Sequence, residues 1–174
     1  MELNKTDAKT RGFGDFGITI LDDVMVAMGD GINLSAKFWF PSSKASSLIQ
    51  NARKSRVYFK PDGEATEETF ATIVEYLPYR KNDYTAERDH LRHPWMASHG
   101  YVIMRVDMRG SGQLVFAPVL VCIFLGDNRG FTVAGDSEGI YHGEYLEQEQ
   151  LDCLEVFSWI EKQNWSNGKV STSL

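Results

Sequence analysis

Tyr101-Val102-Ile103-Met104-Arg105-Val106 is the stretch that decides the fold. Its apolar run is what a strand shows when both faces of its sheet are covered, as in parallel sheets flanked by helices. Gly100 ahead of it is a natural helix stop, because the residue after a helix often takes a left-handed conformation that glycine adopts without strain. Upstream, Asp83 to His99 reads as a helix with Asp83 as N-cap and Glu87 in the early turns. His93-Pro94 predicts a kink there, or a second short helix starting at Pro94. Before it, Thr69 to Leu77 is a mostly apolar strand ended by Pro78.

The pattern continues in both directions. Ile18-Thr19-Ile20 with Val24-Met25-Val26, the turn Gly29-Asp30-Gly31, and Ile32 to Phe40 predict a hairpin. Tyr145 to Gln163 reads as the best helix, with Leu146, Leu151, Leu154, Phe157 and Ile160 sharing an apolar stripe. Trp165 to Gly168 reads as a turn and Lys169-Val170 as the start of a strand. Residues 1–16 read as a loose polar arm, and 42–56 as a surface connection. A hairpin followed by strand, helix, strand, helix, strand predicts an α/β domain with a largely parallel sheet.

Composition agrees with that class. The chain has 174 residues, 18 basic against 24 acidic, a net charge of −6 and 43% hydrophobic residues. Disorder, collagen and coiled coil are excluded. An acidic balance with no basic cluster argues against nucleic acid or an anionic membrane surface as partner. Cys122 and Cys153 are too few for a disulfide framework. The opening residues carry no signal-peptide pattern, so a cytoplasmic location is expected.

An ordered series of short motifs is more specific. Met25-Val26-Ala27-Met28-Gly29-Asp30-Gly31-Ile32-Asn33-Leu34 is followed by Glu75-Tyr76-Leu77-Pro78-Tyr79-Arg80-Lys81 and His99-Gly100-Tyr101. Then come Asp107-Met108-Arg109-Gly110-Ser111-Gly112, Asp136-Ser137-Glu138-Gly139, Trp159-Ile160 and Trp165-Ser166-Asn167-Gly168-Lys169-Val170. Together they resemble the N-terminal part of the cocaine-esterase-like and X-prolyl dipeptidyl-peptidase-like (CocE/NonD) serine hydrolases, which have the α/β-hydrolase fold. The resemblance implies a longer enzyme with a Ser-His-Asp triad, hydrolysing an ester, an amide or an X-Pro peptide through an acyl-serine. It needs no cofactor or metal. In that frame this chain is an incomplete core: the hairpin, the first parallel strands and two main helices, truncated before the nucleophile elbow. The expected Gly-Lys-Val-Gly-x-x-Gly-x-Ser-x-x-Gly reaches Gly168-Lys169-Val170 and then departs as Ser171-Thr172-Ser173-Leu174, an aberrant end at 171–174.

The resemblance carries one catalytic role onto this chain: Tyr79, whose hydroxyl would donate into the oxyanion hole, against the plainer reading of a packing tyrosine. Gly135-Asp136-Ser137-Glu138-Gly139 matches the G-x-S-x-G elbow, with His142 nearby as a base. An elbow serine leads at once into a helix, and Ile140-Tyr141-His142-Gly143 intervenes here, so a loop serine is the better reading of Ser137. His90 and His93, with His99, read as exposed or capping rather than zinc ligands. Asp107 and Arg109 read as positioning a structural turn. Trp39, Trp95, Trp159 and Trp165 read as core.

Residues 113–135 separate motifs that are adjacent in the family. The apolar run Leu114 to Leu125 falls short of the about 20 residues a spanning helix needs. As a loop it would be an aggregation hazard. The stretch reads as sequence not selected for this fold, such as a retained intron or a gene-model error, interrupting a partial hydrolase domain at 17–170. Three functions follow. The first is a hydrolase fragment inactive alone. The second is a truncated isoform that binds a partner through an exposed sheet edge. The third is a small esterase using Ser137.

Overall fold

The computed structural model describes residues 13–42, 57–58, 68–77, 80–82, 86–111, 136–140, 142 and 145–173. Six strands form one mixed sheet in the order β3-β1-β2-β5-β4-β6. In chain order these are β1 (Gly17–Ala27), β2 (Asn33–Ser42), β3 (Val57–Tyr58), β4 (Phe70–Leu77), β5 (Tyr101–Asp107) and β6 (Ser166–Thr172). Helix α1 (Ala86–Ser98) links β4 to β5, and α2 (Glu147–Glu161) precedes β6.

β1 and β2 are the antiparallel hairpin, closed by the Met28 N–H bonded to the Ile32 carbonyl at 2.9 Å and by Gly31 at φ +90°. A register shift between Leu21 and Val24 bulges β1 at Asp22 and Asp23. β2 lies antiparallel to β5, while β5, β4 and β6 are parallel. The chain therefore steps from β4 to its neighbour β5 and then returns past β4 to β6 on its other side.

Alternation along the strands builds two cores, one on each face. Val102, Met104 and Val106 of β5 join Leu34, Phe38 and Phe40 of β2 and Val156 and Ile160 of α2. Trp165 seals that layer edge-on against Phe40, with ring centroids 5.0 Å apart. Ile103 faces the other way, with Trp39 and Ala97 of α1. The two helices thus cover opposite faces, which is why residues 102–107 are buried without a break.

Four details differ from the sequence reading. α1 runs unbroken through Pro94, held by the burial of His93, Ala97 and Ser98 around it. Of the expected stripe on α2, Ile160 is buried and Phe157 packs against the core, but Leu146, Leu151 and Leu154 are exposed, and Asp152 and Val156 take the inward places. The inward place at 152 goes to an aspartate because Arg109 binds it. β6 begins at Ser166 and continues through Ser171 and Thr172, which pair with Ile73 and Val74. Finally, Gly14 donates to Ser98 Oγ at 2.8 Å and Phe16 to the Ser98 carbonyl at 3.2 Å, docking 13–16 onto the end of α1. A Cβ at Gly14 would collide with that carbonyl. Asp83, Cys122, residues 1–12 and residues 113–135 lie outside the described residues.

Candidate active site

In open α/β sheets, ligands bind beyond the carboxyl ends of the strands, where crossovers diverge to opposite faces. Here that edge is the end of β4 and β5, where Leu77 pairs with Asp107. Lys81, just past β4, is 1% exposed and stretches back across the edge. Its ammonium donates to Asp136 Oδ2 at 2.6 Å, Ser35 Oγ at 2.9 Å and Asp107 Oδ2 at 3.3 Å. Asp23 from the bulge of β1 lies 3.2 Å away. The Lys81 backbone N–H donates to Asp107 Oδ1 as well. One cation thereby ties β1, β2, β5 and the 136–140 segment to the chain leaving β4.

Burial alone would push the Lys81 ammonium down, but Asp107, Asp136 and Asp23 together raise it above its ordinary value. For Asp107 burial dominates and raises the carboxyl, with Lys81 offsetting only part. Both shifts have one origin: an ion pair withdrawn from water, with carboxylates in excess.

Ser137 belongs to this cluster as a strut. Its hydroxyl accepts the Ser35 backbone N–H at 2.8 Å and donates to the Asp107 carbonyl at 2.7 Å. Around it, the Ser137 N–H bonds to the Ser111 carbonyl at 3.0 Å and the Glu138 N–H to the Asn33 carbonyl at 2.9 Å. Glu138 Oε2 accepts from Asn33 N–H and Nδ2 at 2.8 and 2.9 Å. Ser137 does not lead at once into a helix: Glu138 to Ile140 are non-helical, the next helix among the described residues begins at Glu147, and His142 is exposed. Tyr79 lies outside the described residues.

Arg109 is the second staple. It forks onto Asp152 of α2 at 2.8 and 2.7 Å and reaches Asp30 in the hairpin turn at 2.6 Å. The hydrogen bonds to Asp152 raise its guanidinium further, and its own bond lowers the Asp30 carboxyl. Asp107 and Arg109 therefore do not pair; each positions a different part of the loop after β5.

Beneath α1 sits a separate buried network. His93 is fully buried, not exposed, with Nε2 3.1 Å from Glu75 Oε1 and its ring edge-on to Trp39 at 4.4 Å. His90 is exposed, so the two do not share a face. Glu75, Asp89 and His93 offer ligand atoms within 4.8 Å of one another. Asp89, however, is bound by Arg88 and by the buried Arg105, which supplies the positive charge a metal would bring. Trp39 and Trp165 are core, Trp159 packs against it, and Trp95 stands at the surface 4.2 Å from the His99 ring. Lys81 and Ser35 escaped the sequence reading because a lysine after a strand looks like any surface lysine until its partners are brought together. The Cys153 thiol is free and raised by burial, then by Glu149.

The strand order, the helices on opposite faces and the polar cluster at the carboxyl edge define an α/β domain of the hydrolase type. The sequence matches the X-Pro dipeptidyl-peptidase (S15) family over residues 54–114 and 125–173, and the chain belongs to that family. The break in the match, 115–124, falls inside the stretch 113–135. No curated protein sequence matches the chain. A CocE/NonD family hydrolase from Staphylococcus aureus shares the fold, with TM-score 0.54 and 19% identity over 90% of this chain and 22% of that one. A second structure of that hydrolase gives TM-score 0.52 and 16% identity over 99% of this chain and 28% of the other. The chain thus spans about a quarter of the length of the solved structures it matches.

Proposed function

We propose that this chain is the front of a serine-hydrolase core and that, as 174 residues, it turns over no ester, amide or X-Pro peptide. The reaction of the complete enzyme is acyl transfer: a serine oxygen bonds to the substrate carbonyl carbon, the alcohol or amine leaves with a proton, and water then releases the acid. By the family resemblance, Tyr79 would be the residue of this chain that donates into the oxyanion hole of the complete enzyme. A phenol O–H held at a strand end stabilises the developing oxyanion. One observation carries the reading of inactivity. The serine of the G-x-S-x-G match has its hydroxyl engaged in both directions by backbone groups, at 2.8 and 2.7 Å. That also speaks against a compact esterase using Ser137. Substrates of the complete enzyme would be small esters, amides or peptides, in a cytoplasmic setting, without nucleic acid or membrane as partner. No helix among the described residues is long and apolar enough to cross a membrane.

The test is direct. The purified chain is incubated with a fluorophosphonate probe and with an activated ester. The expected result is no serine adduct by mass spectrometry and no turnover above buffer. Labelling of a serine accompanied by turnover overturns the proposal. A second reading, a non-catalytic binding module, is favoured by the outer edge of β6, which among the described residues pairs only with β4. A strand-adding partner would slow amide exchange along Ser166–Thr172; a complex that leaves those amides unchanged removes it.

A further inference from the structure

We propose that α2 is a docking surface for a second copy of this chain. Glu147, Leu151, Leu154, Ser158 and Lys162 follow one another at helical steps of three or four and so line one stripe. All five are exposed, and Leu151 and Leu154 are 50% and 58% exposed. The stripe lies away from Asp152, Val156 and Ile160, which face the sheet. These aliphatic side chains stand out on a helix whose other outward groups include Glu155 and Glu161.

The stripe is complementary to itself when reversed. Two copies about a two-fold axis near Leu154 run their helices antiparallel. Glu147 of each copy then faces Lys162 of the other, at both ends of the contact. Leu154 meets its own counterpart at the axis, and Leu151 meets Ser158. Each surface patch serves as both halves of the interface, as an isologous contact requires. The apolar centre is small, so the dimer is weak and concentration-dependent. The inference stands independently of the hydrolase reading.

Sedimentation equilibrium and light scattering across a hundredfold range of concentration test it. The expected result is a monomer–dimer equilibrium. Glu147→Lys or Lys162→Glu alone sets like charges at both ends and weakens the dimer about threefold to tenfold. The double exchange, Glu147→Lys with Lys162→Glu, restores it. Leu154→Glu leaves a monomer with an unchanged circular dichroism spectrum. A monomer at every concentration overturns the proposal. So does a dimer indifferent to these substitutions, which would point to the β6 edge instead, and so does open-ended association.

Discussion

Replacing Lys81 with methionine removes the cation shared by Asp107, Asp136 and Asp23 and takes the Lys81 counter-charge from buried Asp107. Breaking such a pair from one side costs about 3–5 kcal/mol, expected as a lowered urea midpoint for K81M. The pH dependence follows from the shifts. A lysine raised in the fold adds stability that is complete below its ordinary value of 10.5 and is lost as pH climbs through the folded value. A carboxyl raised in the fold, like Asp107, favours folding below 3.8 and loses that contribution as pH rises through its folded value. The gap between wild type and K81M is therefore widest in between, and it narrows both in acid, as Asp107 takes a proton, and above 10.5. Ser137→Ala strips the partner from the Ser35 N–H and the Asp107 carbonyl. An unsatisfied buried group costs about 1–3 kcal/mol, read as a shift in the same midpoint.

Among the elements, α1 carries an avoidable penalty. Pro94 in its interior removes one helical hydrogen bond, to the His90 carbonyl, and crowds that turn. Pro94→Ala is expected to raise stability by about 1–3 kcal/mol in urea unfolding, with α1 unchanged in register. The sequence reading expected a kink or a fresh helix start there because it weighed the local rule alone; burial of His93 and Ala97 against the sheet outweighs it. α2 shows the converse. Its leucines suggested the inward face, yet an aspartate took it, because Arg109 lies forty-odd residues earlier and no helical periodicity registers a partner that distant. β4, β5 and the hairpin were legible because their alternation and turn glycines are local signals.

For the whole molecule, fold and family could be read from the order of the motifs, whereas the site could not. Lys81 gathers Asp23, Ser35, Asp107 and Asp136 from four separate parts of the chain, and only the sheet brings them within reach. β6 is the corresponding test at this scale. It pairs with β4 along Phe70 to Val74, and Trp165, just before it, closes the larger core against Phe38 and Phe40. Deleting 165–173 is expected to leave a chain that unfolds without a sharp urea transition while keeping much of its far-ultraviolet signal. A transition as steep as that of the whole chain would contradict this.

The return of β6 to the far side of β4 also governs the order of assembly on the ribosome. β4 is made well before either of its neighbours, and its two flanks are filled by segments translated later, first β5 and last β6. Such non-local pairing is slow, because a long loop must close before the contact rewards it. The hairpin can form as soon as it emerges, but β4 stays open on one side until the final described strand is synthesised. During that interval its free edge is what a chaperone, or another nascent chain, would meet.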